Sequence, residues 1–421
     1  MVSWTRRCFG VIALFWLAML HTPAYADFAL RDKDTVVFLG DSITAARTYG
    51  KIIENYTLLR YPHRRVRFIN AGWGGDTAAG GLKRLDRDVF SRGATVLTVA
   101  YGVNDIGWGL KADAEHKKLY LASIRSIVAR CRERHVRVFI CSAAITAEDP
   151  AVAEKGFLQK MCDEGMAISR EMGEGVIDVQ RTMRGIQRRV REAAQESKDP
   201  NDKPTLHVAD GVHLNDLGQL AMAFSILKGL GAPADVSSAT IDANKSVVLS
   251  SDGCRISAVR GDATHLEFDR LDEGLPLNFG ILGALQFRFI PIPDELDRYL
   301  LTIKELAPGR YDLLADDRRL GVFTSEQLTK GVNLCSATSD GWEPGGPWDA
   351  EAAALIPLTE ARSNLADVVR QTDYYLPSFP AKSSIHSQTD SAIARIEALQ
   401  RTLVKPRQFH FIVRPASGEK P

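Results

Sequence analysis

The chain has 421 residues, a formal net charge of +1, 45% hydrophobic residues and 25% charged ones. That length accommodates two or three domains with a sizeable core, and the composition is that of an ordinary globular protein rather than a disordered or fibrous one. The near-neutral charge gives no electrostatic argument for a nucleic acid or an anionic membrane as partner.

At the start of the chain, Arg6 and Arg7 precede an apolar run over 9–20 that is too short to span a bilayer. Ala24-Tyr25-Ala26 fits a small-residue cleavage site. Residues 1–26 are therefore expected to be an export signal, by the general or the twin-arginine route, with Asp27 as the mature N-terminus and a periplasmic or extracellular destination. No later run is long and apolar enough for a membrane helix. Removal of the signal leaves Cys131, Cys141, Cys162, Cys254 and Cys335, without a CxxC or a zinc-type spacing. An odd number leaves at least one thiol unbridged; buried cysteines with at most one or two bridges are expected.

From 27 to about 231, strand-like and helix-like segments alternate. Short apolar, β-branched runs at 35–39, 66–70, 94–100, 136–140 and 176–179 predict five strands. Helical spacing predicts helices over 49–59, 82–90, 116–134, 152–171 and 179–196, and a closing helix over 214–230. This alternation implies a parallel sheet covered on both faces. Gly231-Ala232-Pro233 ends it, giving a first domain over 27–235. Short β-like runs at 247–249, 285–290, 299–303 and 311–314, with turn signals at Pro308-Gly309 and Asp316-Asp317, predict a small antiparallel β-rich domain over 236–345. Helices over 348–372 and 389–403 and a strand at 409–413 make up a helical tail over 346–421.

Three separated segments carry the chemistry. Gly40-Asp41-Ser42-Ile43-Thr44 follows the first strand, Gly102-Val103-Asn104-Asp105 follows the third, and Asp210-Gly211-Val212-His213 lies in a late polar loop. A serine hydroxyl needs a neighbouring base, and histidine suits because its pKa lies near neutrality. A carboxylate orients the imidazole, and Asp210 is three residues from His213. Attack on a carbonyl makes an oxyanion, for which the Ser42 and Gly75 N–H groups and the Asn104 amide are candidate donors. Asp41, Asp76 and Asp105 read as loop-holding residues, and His207 lacks the aspartate that His213 has. Trp73, Tyr101 and Trp108 flank these blocks and are candidates either for a substrate pocket or for packing. Trp342, Trp348, Tyr374 and Tyr375 read as core or interface packing. There is no Gly-x-Ser-x-Gly elbow, HExxH, P-loop or dinucleotide fingerprint.

These blocks resemble those of the SGNH (GDSL-type) serine hydrolases. The serine lies in Gly-Asp-Ser-Ile-Thr, matching Ser42, and the glycine in an Asn-x-Gly-x-x-Gly-Asp-Thr segment, matching Gly75. The asparagine lies in Gly-x-Asn-Asp, matching Asn104, and the histidine in Asp-x-x-His-Leu, matching His213 with Asp210. Each block alone is weakly diagnostic; four in order are specific. The resemblance covers roughly 34–230. It implies a flavodoxin-like three-layer α/β/α sandwich (α/β class) with a C-terminal β-rich region and helical tail, and ester hydrolysis through an acyl-serine. No metal or organic cofactor is implied. The expected substrate is an acetylated carbohydrate, with a short-chain lipid or lysophospholipid ester, or O-acyl transfer, as alternatives. A non-catalytic binding role is disfavoured because all four blocks are intact.

Overall fold

A computed structural model describes residues 28–199, 203–278, 285–336 and 345–416. The expected export signal and Trp342 lie outside the described residues.

Strands β1 (Thr35–Gly40), β2 (Arg67–Gly72), β3 (Val96–Ala100), β4 (Arg137–Cys141) and β5 (Gly175–Ile177) form a parallel sheet of order β2-β1-β3-β4-β5. β1 is buried along its whole length and bonds to β2 on one side and β3 on the other. Its side chains alternate between two cores, as a strand covered on both faces requires. Val36 and Phe38 face one and Val37 and Leu39 the other.

Among the described residues, the part of the chain before β6 forms the helices α1 (Ser42–Ala45), α2 (Thr48–Arg60), α3 (Ala78–Lys83), α4 (Leu85–Asp88), α5 (Ala114–Glu133), α6 (Pro150–Ala153), α7 (Phe157–Glu171), α8 (Val179–Glu196) and α9 (Asp216–Gly229). α2, α8 and α9 pack together on the Phe38 side and α3, α5 and α7 on the Leu39 side, completing three layers. Two predicted helices prove to be divided. The 82–90 segment breaks at Arg84, which has non-helical backbone between α3 and α4. The 152–171 segment breaks at Gly156, whose extended backbone caps α7 after the one-turn α6.

Beyond α9 there are two further sheets. β6 (Asp235–Asp242), β7 (Val247–Asp252), β10 (Arg298–Lys304) and β13 (Val332–Asn333) form one; β8 (Cys254–Gly261), β9 (Leu266–Asp272), β11 (Arg310–Ala315), β12 (Arg318–Thr324) and β14 (Gln408–Pro415) form the other. The expectation of antiparallel pairing needs correction, because β6 and β10 run parallel. The 285–290 run forms a 3-10 turn over Leu285–Arg288 rather than a strand. β14 lies between β9 and β11, where Phe411 stacks on Phe268 at 5.1 Å. All five predicted mature cysteines are free.

Two long helices, α10 (Pro347–Tyr375) and α11 (Lys382–Leu403), form a hairpin. α10 has 29 residues, about 43 Å at the helical rise, and it touches three parts of the molecule in turn. Trp348, fully buried, packs edge-on against Tyr299 and Phe409 in the C-terminal sheets. Arg362, half-way along, pairs with the buried Glu54 of α2 and donates to the Phe68 carbonyl of β2 at 3.1 Å. Thr359 donates to Asn55, and Gln400 of α11 donates to Thr359 at 2.9 Å and Glu54 at 3.3 Å.

Removing one partner of a buried ion pair leaves the other charge uncompensated, at a cost of about 3–5 kcal/mol. Arg362→Ala is therefore expected to lower the unfolding free energy by about that much in denaturant melts. The double variant Glu54→Leu/Arg362→Met, which removes both charges, is expected to lose clearly less.

Candidate active site

In an open α/β sheet, ligands bind beyond the carboxyl ends of the strands where the strand order reverses, which for the order 2-1-3-4-5 is between β1 and β3. Ser42 follows β1 and Asn104 follows β3, so both stand at that reversal. Ser42 is the first residue of α1. The buried Asp41 caps this helix, accepting the Ile43 N–H at 3.0 Å.

The late loop reaches the same edge. Val208 N–H donates to the His213 carbonyl at 3.0 Å, and Ala147 N–H to the Gly211 carbonyl at 2.8 Å, fixing the loop against the chain after β4. Within it, Asp210 Oδ1 accepts the N–H groups of Val212 and His213 at 2.8 and 2.9 Å, an aspartate turn. Asp210 Oδ2 lies 2.5 Å from His213 Nδ1, and His213 Nε2 lies 2.9 Å from Ser42 Oγ. A carboxylate can only accept, so the ring proton sits on Nδ1 and Nε2 is left to accept from the serine. The bond from the His213 ring, followed by the two N–H groups, holds the Asp210 carboxyl down to about 2, so it is ionised at neutral pH.

The three candidate oxyanion donors lie on the loops that follow β1, β2 and β3. The Ser42 N–H, in the unpaired first turn of α1, has no intramolecular partner among the described residues, and neither has the N–H of Gly75. Gly75 is exposed, with φ of 73°, a left-handed conformation that suits glycine. The Asn104 amide is oriented by its neighbours. Its Oδ1 accepts the Trp108 indole N–H at 2.8 Å, and its Nδ2 donates one hydrogen to the Asp76 carbonyl at 3.0 Å. An indole N–H is a donor only, so this pairing fixes which end of the amide is NH₂ and leaves its second hydrogen available. Preorganised donors of this kind are each worth about 3–4 kcal/mol to a developing oxyanion.

The flanking aromatics separate into different roles. Trp108 is 51% exposed and presents its ring edge-on to His213 at 5.7 Å. Its φ of +57° is a strained conformation for a bulky residue, held between the two positive-φ glycines 107 and 109. Tyr101 does not line a pocket. It is 1% exposed, its hydroxyl donates to Asp76 at 2.8 Å and accepts from Arg84 at 2.9 Å, and it packs beneath the loops. Trp73 is half-buried against Tyr374, with ring centroids 4.1 Å apart.

The neighbouring aspartates hold loops, as their positions in sequence suggest. Burial pushes the Asp41 and Asp105 carboxyls up to about 6 and about 7; Asp105 accepts the Ala78 N–H at 3.0 Å. Asp76 pairs with Arg84 at 2.7 Å. His207 is buried, with Nε2 3.0 Å from the Ile145 carbonyl, and burial lowers its pKa.

Arg84 is a positioning residue that the sequence reading missed. It donates to the Ala71 carbonyl at 2.8 Å and the Gly40 carbonyl at 3.3 Å as well as to Tyr101, tying together the ends of β1, β2 and β3. In sequence it sits in Lys83-Arg84-Leu85-Asp86-Arg87, inside a run predicted as one helix, where it reads as part of a solvated face; no local signal distinguishes it.

Among the described residues no three His, Cys, Asp or Glu side chains converge to hold a metal ion, and no helix is long and apolar enough to cross a membrane. A cleft of about 420 Å³ lies between β2 and the α10–α11 hairpin; charged side chains such as Arg47, Glu54, Arg67 and Arg362 line it, and none of Ser42, Asp210 and His213 does.

Residues 38–221 match the GDSL-like Lipase/Acylhydrolase family. No functionally curated protein matches the chain. Among solved structures, a gut microbial diltiazem-metabolizing enzyme is similar over 92% of this chain and 98% of its own, at 22% identity and a TM-score of 0.78. The fold is therefore shared through the C-terminal sheets as well as the catalytic half. An alpha/beta hydrolase enzyme from the metagenome of Lake Arreo, Spain, matches 48% of this chain and 98% of its own (21% identity, TM-score 0.40). An acetylxylan esterase from Geobacillus stearothermophilus matches 48% and 96% (18%, 0.40).

Trp108→Phe keeps a ring beside His213 but removes the N–H that orients the Asn104 amide. It is expected to lower kcat on a simple acetyl ester by about tenfold, less than outright loss of an oxyanion donor, with KM little changed. Steady-state kinetics on p-nitrophenyl acetate read the two parameters separately.

Proposed function

We propose, from the premise that residues 38–221 are a domain of the GDSL-like lipase/acylhydrolase family and the chain a carboxylic ester hydrolase, that it removes short acyl groups, acetyl above all, from carbohydrate esters through an acyl-serine on Ser42. His213 Nε2 takes the Ser42 hydroxyl proton as Oγ attacks the ester carbonyl carbon. The oxyanion accepts from the Ser42 and Gly75 N–H groups and the Asn104 amide. Asp210, ionised, holds the ring and stabilises its charged form. The carbon–oxygen bond to the alcohol then breaks, and His213 returns the proton to the leaving oxygen. Water, deprotonated by His213, attacks the acyl-serine; the acid departs and Ser42 recovers its proton.

The observation that carries the substrate class is the openness of the site. The His213 and Asp210 side chains are both 35% exposed, Trp108 stands exposed beside them, and the 420 Å³ cleft belongs to a different part of the molecule. A small acyl group on a large, solvated alcohol suits such an edge; a long acyl chain wants an enclosed apolar groove. Export belongs to the same reading, supported by Arg6-Arg7, the apolar run 9–20 and Ala24-Tyr25-Ala26, since polymeric carbohydrate is met outside the cytoplasm.

The test is hydrolysis of p-nitrophenyl acetate against the octanoate by the mature chain, beside Ser42→Ala. The expected result is preference for acetate and a loss of about 10⁴-fold or more in the variant. A preference for octanoate favours the lipid-ester reading. Acyl transfer to an added sugar outpacing hydrolysis favours an acyltransferase.

A further inference from the structure

The tip of the α10–α11 hairpin exposes four large apolar side chains within six residues: Tyr374 (45%), Tyr375 (61%), Leu376 (47%) and Phe379 (43%). Scattered exposed apolar residues need no explanation, but a contiguous group does. The tip is held in place. Asp373, beside it, is bonded to Arg92 at 3.0 Å and to Lys382 at 2.9 Å. Tyr374 packs on Trp73, and Tyr375 lies edge-on to Tyr374 with ring centroids 4.8 Å apart.

Trp73 links this tip to the catalytic edge. It stands two residues before Gly75, and its N–H donates at 2.9 Å to the carbonyl of Gly40, two residues before Ser42. The rings are therefore continuous with the loops that carry the nucleophile and one oxyanion donor. Guanidinium groups flank them: Arg370 lies 5.3 Å from the Trp73 ring and Arg87 5.3 Å from that of Tyr374. An aromatic face with a charged, hydrogen-bonding rim suits a ring that is apolar on its face and polar at its edge. An alkyl chain has no use for such a rim.

We propose that the hairpin tip is a substrate subsite, on which a sugar ring of the alcohol portion stacks while the acyl group is held at Ser42. The proposal rests on the carbohydrate-ester reading above and names the residues that select that alcohol. It gives the C-terminal region a direct part in specificity, through α10.

The test compares acetylated xylo-oligosaccharide with ethyl acetate, which has the ester but no ring, in the full mature chain. Tyr375→Ala and Phe379→Ala change exposed side chains, and thermal melts verify that each is folded. The ratio of kcat/KM on oligosaccharide to that on ethyl acetate is expected to fall about five- to tenfold in each, mainly through KM, and to recover in Tyr375→Phe. A ratio that stays at the wild-type value while the wild type hydrolyses the oligosaccharide overturns the subsite alone. A wild type that hydrolyses ethyl acetate but no acetylated oligosaccharide overturns the carbohydrate reading, and the subsite with it. A selective loss on octanoate esters shows the tip to be an acyl-chain wall and overturns the sugar assignment.

Discussion

β1 is bonded in parallel to β2 on one side and to β3 on the other, and the positions of the candidate nucleophile and oxyanion donors follow from that. The connections leaving β1 and β3 run in opposite directions across the sheet, so the loops beyond their carboxyl ends part and leave an edge into which side chains can project. Ser42 comes from the first loop, Gly75 from the second and Asn104 from the third. Arg84 bonds the ends of β1 and β2 and the residue after β3 to one guanidinium, so the three loops are held at fixed separation. Only the proposed base, His213, arrives from far along the chain. Its loop is stiffened by Asp210, which satisfies two backbone N–H groups with one oxygen and orients the imidazole with the other.

This local self-sufficiency explains why the candidate site was legible in sequence. Ser42, Asn104, Asp210 and His213 sit within a few residues of the strand end, turn or partner that positions them, so short motifs carry most of the geometry. The five parallel strands were legible too, because a doubly covered strand is a short unbroken apolar run. The α8 prediction over 179–196 coincides with the helix formed. Other features depended on tertiary contact. Trp108 read as a pocket or packing residue, yet it also orients the Asn104 amide across a turn whose positive φ angles no periodicity reveals. Tyr101 had the right neighbours for a pocket and the wrong direction, because its hydroxyl is drawn inward to Asp76 and Arg84.

The C-terminal region was harder to read for the same physical reason. β14 is a short segment at the end of a helical stretch, and nothing local shows that it fills the space between β9 and β11. The parallel β6–β10 pair joins residues more than fifty apart. The polar face of α10 resembles solvated helix surface, but Thr359 and Arg362 are buried against Asn55 and Glu54. The helix thus runs as a strut from the Trp348 core to Trp73, two residues before Gly75.

The central claim is that Ser42 is the nucleophile, made so by the chain of bonds through His213 to Asp210. The most direct measurement is to treat the folded protein with a fluorophosphonate and locate the adduct by peptide mass spectrometry. One stoichiometric phosphonyl group is expected on Ser42, formed with the intact protein and strongly slowed in His213→Ala. Labelling of another residue, or labelling of Ser42 that is indifferent to His213, would contradict it.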